Sequence, residues 1–172
     1  IKRRLAILLD DVSDKPRAIL LSPAQDIAPY TVNDLITIAT GLLSVALSPE
    51  RASALLLEKM NHTRSTVSSS NEKSSNYSMC ISVEAREGVS TGISAADRAV
   101  TIGVLGEPSP NPSKLVKPGH IFPIKVREGG VLVHHALPEG ALDIVRISGF
   151  TDAAAYAELL NSSGELPSIE QI

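Results

Sequence analysis

Short apolar runs near the N-terminus predict the first strands of a β-sheet. Leu5 to Leu9 is continuously apolar, which is typical of a short buried strand, and Arg17 to Leu21 repeats the pattern after a polar connection. We expect these two strands to be neighbours in one sheet. Thr31, with Asp34 three residues later, fits a capping box, so we predict that a helix begins there and ends near Gly41.

The middle of the chain carries three further patterns. Ser48 precedes a proline and an acid, which predicts an N-cap and a helix from Pro49 to Met60. Cys80 to Ala85 alternates in the period of a half-buried strand. Ser94, followed three residues later by an aspartate, predicts a second capped helix over Ala95 to Val104.

The last third predicts two strands, a helix and an ambiguous tail. The strands are expected over His120 to Val126 and Val131 to His134, on either side of a glycine pair. Pro138 is expected to begin a helix that runs to Ser148, with a glycine directly after it. Ala153 to Leu160 has strong helix propensity by its residues alone.

One segment differs from the rest in composition. Between Asn61 and Ser78 the chain has seven serines and almost no apolar side chain. Such a segment buries too little surface to order its backbone, so we expect a mobile serine-rich loop over about residues 61–78.

Composition narrows the class of protein. With 172 residues, of which 43% are hydrophobic, the chain can bury one good core, so we expect one compact domain. A net charge of -3 argues against a nucleic-acid surface. No apolar stretch is long enough to cross a bilayer and no signal-peptide pattern is present, so we expect no membrane association and a cytoplasmic location. The single cysteine, Cys80, excludes an internal disulfide and is expected to be inert core.

Three segments together carry a resemblance to a known family. They are CISVEAREGVSTGISAADRAVTI at Cys80 to Ile102, KPGHIFP at Lys117 to Pro123, and GGVLV at Gly129 to Val133. They resemble 3,4-dihydroxy-2-butanone 4-phosphate synthase, an enzyme of riboflavin biosynthesis. The resemblance implies an α+β fold, one synthase-like domain over residues 1–172 with a central mixed sheet surrounded by helices. It also implies a strand at Ala153 to Leu160, and a homodimer with active sites close to the subunit interface.

The first segment that holds metal and substrate in that family is rewritten here. The family converts ribulose 5-phosphate to dihydroxybutanone phosphate and formate, with magnesium polarising the sugar oxygens. Asp10 and Asp11 keep the start of its acidic segment. By the resemblance, Asp14 stands where the family has a substrate-binding arginine, Lys15 where it has a metal-ligating glutamate, and Ile19 where it has a substrate-binding aspartate.

The second such segment is rewritten as well. The family's Arg-x-Gly-His-Thr-Glu corresponds to the six residues from His134 to Glu139, so Leu137 replaces the second metal ligand and Pro138 the phosphate-contacting threonine. A hard cation requires oxygen donors, and the ammonium of Lys15 repels it. We therefore expect no magnesium at this site and no other cofactor.

Three residues are candidates for catalysis. His120 and Glu158 match residues of the family mechanism and are candidates for an acid-base pair. The alternatives are an inherited packing role for His120 and an ordinary amphipathic element around Glu158. Lys15 could polarise a carbonyl or form a Schiff base, and the alternative is a solvated loop lysine.

Further residues are candidates for substrate binding. Thr91 and Ser94 lie in a glycine-bearing turn before a helix N-terminus, which could hold an anion or could be no more than a capped turn. His134 and His135 are adjacent strand residues by prediction and cannot readily share a metal ion, but one of them could supply positive charge to a phosphate. Asp14 is included because of its aligned position.

The resemblance and the replaced residues lead to three hypotheses. The leading one is a diverged synthase homologue that lacks the magnesium-dependent lyase activity and binds a phosphorylated sugar or related metabolite, in or beside flavin metabolism. The second is a metal-independent, lyase-type enzyme that uses Lys15, His120 and Glu158. The third is a non-catalytic partner of an active paralogue or of a cyclohydrolase. Convergence of those three side chains in a closed pocket would favour catalysis, and a filled pocket would favour the binding or partner role.

Overall fold

A mixed β-sheet organises the part of the chain that the computed structural model describes, residues 4–12, 16–60 and 78–172. Its strands within those ranges are β1 (Ala6–Asp10), β2 (Arg17–Pro23), β3 (Ser44–Leu47), β4 (Ser78–Met79), β5 (Val83–Ala85), β6 (Leu115–Lys125) and β7 (Ala153–Glu158). Their order is β1-β2-β7-β3-β6-β4, and β5 pairs with another part of β6. Only β3 and β6 run parallel among these pairs. The predicted mixed sheet, with β1 and β2 as neighbours, is confirmed.

Helices cover both faces of this sheet. They are α1 (Pro29–Asp34), α2 (Pro49–Ala54), α3 (Ala95–Gly106) and α4 (Leu137–Ile147), and α1 continues into a wide π-helical turn, Leu35–Ala39. Short 3₁₀ turns are formed by Pro112–Lys114, Gly130–Leu132 and Ile169–Gln171. No helix in the described ranges is long and apolar enough to cross a membrane.

Two hydrophobic clusters lie on opposite faces of the sheet. Ala155 of β7 packs with the side of the sheet that α1 and α3 cover, among residues such as Leu35 and Ile102, while Ala154 packs with Leu142 of α4. Successive strand residues point to opposite faces, so β7 contributes to both clusters. The α+β prediction, a single domain with a central sheet and helices on both faces, is confirmed.

β1 is an edge strand, and the prediction that Leu5 to Leu9 is buried is wrong. Ile7 is 53% exposed and Leu9 is 37% exposed, while Leu8 packs against the cluster under α4. The strand pairs only with β2 among the described residues, and only one of its faces is covered. The continuous apolar run from Leu5 to Leu9 therefore forms a strand that is covered on one face only.

Two predicted helix boundaries are wrong. The first helix begins at Pro29 after Ala28, with Thr31 already inside it, because a proline with fixed φ starts the helix without a side-chain cap. The second helix is capped by Ser48 as predicted, but it ends at Ala54 rather than Met60. Lys59 pairs with Cys80, and the backbone N–H of Met60 donates to Met79, so pairing with a distant strand replaces the helical continuation.

Two predicted strands are also corrected. Cys80 to Ala85 is not one strand, because the chain leaves the sheet at Ile81, whose N–H donates to Glu58, and pairs again only at Val83. Val131 to His134 is not a strand: it comprises the end of the 3₁₀ turn Gly130–Leu132 and the two residues that follow it. Two preceding glycines with φ of 93° and 66° set a left-handed path, which an extended strand cannot follow.

Other predictions are confirmed. Ser94 caps α3, its hydroxyl accepting the N–H of Asp97 at 3.0 Å, and Pro138 lies in the first turn of α4. Ala153 to Leu160 forms β7 as far as Glu158, between β2 and β3. Cys80 is fully buried, and burial raises the pKa of its thiol. The expected mobile loop lies outside the described residues, except for Ser78 in β4.

Candidate functional site

Residues from both rewritten segments line one small cavity. Its volume is about 130 Å³, and it lies between the strands of the sheet and the beginning of α4. Ile19, Leu137, Pro138 and Glu158, which the sequence analysis identified as replaced or kept positions, all line it. The other lining residues are Arg17, Leu42, Ser44, Met79, Ile124 and Tyr156.

Strand register explains why these residues meet. Ile19 of β2 pairs with Glu158 of β7, and Ser44 of β3 pairs with Tyr156 of β7. Residues that pair directly across strands point to the same face, so these side chains form one surface. The first turn of α4 then places Leu137 over it, 4% exposed and packed in the cluster that includes Ile19.

The charged groups at this cavity form an ion pair. The Arg17 Nε donates to Glu158 Oε1 at 2.7 Å, and both side chains are about one-third exposed, at 34% and 29%. Arg17 also has a further interaction. The backbone beside Glu158 is fixed by Gly41, whose N–H donates to the Glu158 carbonyl at 3.0 Å and where a Cβ would overlap that backbone. The Glu158 carboxylate is therefore held as an ion-pair partner of Arg17.

Ser44 contributes a hydroxyl to the cavity wall, in a residue that is 3% exposed. A serine hydroxyl donates one hydrogen bond and accepts others, so it can contact either a donor or an acceptor of a ligand.

A second cavity, of about 300 Å³, lies on the other side of Leu137. The retained acids Asp10 and Asp11 line it, together with His135. Asp10 already accepts the N–H of Val12 at 3.2 Å. The second cavity is walled mainly by Leu8, Leu9, Val12, Val131, Ala136, Leu137 and Gly140. Of the predicted substrate-binding residues, His135 therefore lies at this cavity, beside the two acids.

His134 is directed elsewhere. Its Nδ1 lies 3.0 Å from Oε1 of Glu139, within ion-pair distance although not in hydrogen-bond geometry, and the two side chains are 13% and 3% exposed. The same Oε1 accepts the N–H of Arg127 at 3.0 Å. His134 lines neither of the two cavities. Its position is that of a buried packing residue at the beginning of α4.

His120 lies in a separate cluster on β6. Its Nδ1 is 2.6 Å from Oε2 of Glu84, and the Thr101 hydroxyl donates to the other carboxylate oxygen at 2.6 Å. Gly92 approaches both side chains so closely that a Cβ there would overlap the carboxylate and the imidazole. The His120 side chain is 44% exposed, while Thr101 is fully buried. The buried Thr101 and Glu84 thus orient the accessible imidazole of His120.

The two matched residues of the family mechanism do not meet. Ser44 of β3 pairs with Tyr156 on one side and with Phe122 on the other, so β3 separates the strand of Glu158 from the strand of His120. That spacing corresponds to about 10 Å between the backbones. Within the described chain each residue has its own partner, so they form no direct acid-base pair.

The glycine-bearing turn before α3 holds one of its own carboxylates. Asp97 accepts the Ser90 hydroxyl at 2.9 Å and the Gly92 N–H at 3.0 Å. The hydrogen bond from Ser90 is the main cause that lowers the pKa of Asp97. Ser94 is used as the cap of α3, and Thr91 is exposed. Asp97 therefore already accepts the hydrogen bonds of the Ser90 hydroxyl and the Gly92 N–H, which a ligand anion in this turn would need.

Two predicted site residues are not described by the structure, and three residues at the sites were not predicted. Asp14 and Lys15 lie outside the described residues. Arg17, Ser44 and Glu84 lie at these sites although the sequence did not predict them as site residues. An acid in an otherwise apolar run could have indicated Glu84, but only the sheet register brings Ser44 to the cavity.

Comparison with known proteins gives a consistent result. A sequence model of the family 3,4-dihydroxy-2-butanone 4-phosphate synthase matches residues 2–172. The synthase from Syntrophotalea carbinolica is 32% identical over 98% of this chain and 75% of its own length. Riboflavin biosynthesis protein RibBA from Salinispora arenicola is 34% identical over 95% of this chain, which spans 37% of that relative.

Solved structures have the same fold. RibBX, a two-domain 3,4-dihydroxy-2-butanone 4-phosphate synthase from A. baumannii, superposes with a TM-score of 0.85 at 30% identity, over 97% of this chain and 47% of that one. A synthase in complex with two magnesium ions gives 0.81 at 28% identity, over 91% of this chain and 69% of that one. Sequence match and fold agree along nearly the whole length, and the chain belongs to the 3,4-dihydroxy-2-butanone 4-phosphate synthase family.

Proposed function

We propose that this chain lacks the magnesium-dependent lyase reaction of its family and uses the cavity beneath α4 to bind a phosphorylated sugar or related metabolite, in or beside flavin metabolism. The proposed loss of the magnesium-dependent reaction rests on the position of Leu137. It stands where the resemblance expects a metal-ligating histidine, and it is 4% exposed in the core while also lining the cavity. An aliphatic side chain supplies no electron pair to a metal.

The other lining residues do not compensate for that loss. Magnesium prefers oxygen ligands in octahedral geometry. Among the described residues, Glu158 is the only carboxylate that lines the cavity, and it is paired with Arg17 at 2.7 Å. Within the described ranges no group of three His, Cys, Asp or Glu side chains converges. The residues present here do not fit magnesium, and we derive no step through it.

The proposed binding of a metabolite rests on the cavity beneath α4, which remains open. Replacement of polar residues by Ile19, Leu137 and Pro138 has left about 130 Å³ open rather than filled. Because His120 lies across β3 from Glu158, the geometry favours binding over metal-independent catalysis by those two residues. An anionic group of a bound metabolite would lie at the mouth, beside Arg17.

Assembly and location belong to the same proposal. We propose a homodimer, which is supported by large apolar side chains that the single chain leaves exposed, such as Leu132 at 88% and Val133 at 71%. The cytoplasmic location expected from the sequence is also part of the proposal. We propose no nucleic-acid partner, because the net charge is -3.

The decisive experiment is formate release from ribulose 5-phosphate, with and without magnesium. We expect no turnover above background, whereas the synthase from Syntrophotalea carbinolica serves as a positive control on the same substrate. The double variant Lys15→Glu/Leu137→His restores both lost ligand types and is expected to gain magnesium binding in calorimetry. Magnesium-dependent turnover by the unmodified chain would overturn the proposal.

A second arm separates the remaining enzyme hypothesis. Formate release that needs no magnesium and disappears in His120→Ala would establish metal-independent catalysis instead. A circular dichroism spectrum unchanged from that of the parent protein shows that the variant is folded.

A further inference from the structure

We infer that the metabolite bound beneath α4 carries no phosphate group, so that an unphosphorylated sugar or a related uncharged metabolite binds there. This inference rests on the proposed function, because it assumes that the cavity binds a metabolite. Of the two classes named there, it selects the related metabolite over the phosphorylated sugar. Its basis is that carboxylates of the chain itself occupy the groups that could otherwise hold an anion.

The mouth of the cavity has no net positive charge to offer. Among the described residues that line either cavity, Arg17 is the only one with a permanently charged cationic side chain. Its Nε donates to Glu158 Oε1 at 2.7 Å, and Arg17 has a further interaction as well. A phosphate beside Arg17 would compete with the Glu158 carboxylate for the guanidinium and would be repelled by it at close range.

The beginning of α4 lacks the anion site that is typical of a helix N-terminus. Pro138 lies in the first turn and has no backbone N–H to donate. Glu139 places a carboxylate of the chain in the same turn, 3% exposed, where Oε1 accepts the N–H of Arg127 at 3.0 Å. By the resemblance, Pro138 stands where the family contacts phosphate through a threonine, and His134 where it has an arginine. Here His134 lies 3.0 Å from that same carboxylate and lines neither cavity.

The other candidate places for an anion are acidic too. In the turn before α3, Asp97 already accepts the Ser90 hydroxyl and the Gly92 N–H at 2.9 and 3.0 Å. The second cavity is lined by the carboxylates of Asp10 and Asp11. A phosphate would therefore meet negative charge of this chain at each of these places, whereas an uncharged ligand would not.

The test compares sugars that differ only in a phosphate group, by chemical-shift titration of the ¹⁵N-labelled chain without magnesium. The pairs are ribulose with ribulose 5-phosphate, and dihydroxyacetone with dihydroxyacetone phosphate. We expect shifts at Ser44 and Leu137, and we expect the phosphorylated member of each pair to bind up to about fivefold more weakly, the range of one partly exposed ionic interaction. Added salt should not weaken binding of the phosphorylated members, because screening then reduces repulsion rather than attraction.

A variant and a matched control make the assignment specific. Glu158→Gln releases Arg17 from its ion pair, so it should reverse the preference and make ribulose 5-phosphate bind up to about fivefold more tightly than ribulose. Glu107→Gln removes a carboxylate from a comparable ion pair, with Lys114 at 2.8 Å and a glutamate side chain that is 33% exposed. Glu107 lines neither of the two cavities, so this variant should keep the preference of the parent chain. Circular dichroism spectra that match the parent protein show that both variants are folded.

The outcomes separate this inference from the proposed function. Tighter binding of a phosphorylated member to the parent chain, or a preference that Glu158→Gln leaves unchanged, would overturn the inference alone. Binding of none of the four probes would overturn the proposed metabolite binding and the inference with it. Formate release in the presence of magnesium would overturn the proposed loss of the lyase reaction, and the phosphate preference would still be measured without magnesium.

Discussion

Leu137 is the residue on which the proposed loss of magnesium chemistry mainly depends. It packs with Ile19 in the core and at the same time forms the wall between two cavities. A histidine in this place would expose a ring nitrogen to the cavity, whereas leucine adds only apolar contact. Pro138, which replaces the family's threonine by the resemblance, lies in the first turn of α4, a position that proline favours, so a helix begins here although a possible ligand is absent.

The pH dependence of stability should report the role of Asp97. Its pKa is lowered from an ordinary value of 3.8, chiefly by the hydrogen bond from Ser90. A lowered pKa means that the unfolded state binds the proton more readily, so ionised Asp97 stabilises the fold above 3.8 and less as pH falls through the folded-state pKa. We expect Asp97→Asn to lower the free energy of unfolding near pH 7, and the deficit to shrink below pH 3.8.

Urea unfolding at several pH values measures that deficit. Asp26→Asn is the matched control, since Asp26 is exposed with φ of 54°, a conformation that asparagine tolerates well. A deficit in Asp97→Asn that stays constant down to pH 2.5 would contradict the assigned role of the carboxylate.

At the scale of elements, Arg51 joins α2 to the end of α3. Its guanidinium donates to the carbonyls of Leu105 and Glu107 at 3.1 and 2.7 Å, and the residue is 8% exposed. Carbonyls at a helix C-terminus lack partners within the helix and carry partial negative charge. Arg51→Met should therefore lower the free energy of unfolding by about 2 to 4 kcal/mol, because two charge-assisted hydrogen bonds are lost.

Arg86 serves as the control, because it makes the same kind of arginine–carbonyl hydrogen bonds at the surface. It is exposed and also donates to two carbonyls, those of Ser113 and Leu115. Arg86→Met should cost less than about 1 kcal/mol, because water replaces the lost donors. Equal losses of stability in chemical denaturation of the two variants would show that burial of Arg51 is not what matters.

β7 is the element in which intrinsic propensity and environment conflict most. Its four alanines favour a helix, yet Ala153, Ala154, Ala155 and Ala157 are all fully buried between β2 and β3. Ala155→Val raises strand propensity but adds two methyl groups to a packed cluster. We expect a net loss of about 1 to 3 kcal/mol in the free energy of unfolding.

The control for that experiment is the same substitution on an exposed strand. Ala6 is itself exposed, at the first position of β1, so added methyl groups meet solvent. Ala6→Val should be neutral or slightly stabilising in the same urea experiment. If Ala155→Val were equally harmless, the packing around β7 would be looser than the structure indicates.

The elements that the sequence predicted correctly are those with local causes. The cap at Ser94 and the strand pair β1–β2 follow from neighbouring residues. The early end of α2 does not, because it depends on pairing of Lys59 with Cys80. Likewise the approach of Ser44 to Glu158 depends on the register of three strands, which no local pattern contains.

At the scale of the whole molecule, three of the positions that differ from the family by the resemblance lie together. The rewritten positions Ile19, Leu137 and Pro138 are distant in sequence but meet at one cavity. The supporting pair Glu84 and Thr101 around His120 lies outside that cavity and is fully hydrogen-bonded. The proposed loss of magnesium chemistry therefore concerns this cavity and not the cluster of Glu84 and His120.

Self-association is the last expectation at this scale. Leu132 and Val133 are adjacent and highly exposed, beside the second cavity, and such an apolar pair is typical of a contact surface. Light scattering after size exclusion should give twice the chain mass of 18.2 kDa. Leu132→Asp should lower that mass, because a charge cannot enter an apolar interface without a partner. Ile147→Asp, at an equally exposed position without an adjacent exposed apolar residue, should not. A monomeric mass for the parent chain at micromolar concentration would exclude the homodimer.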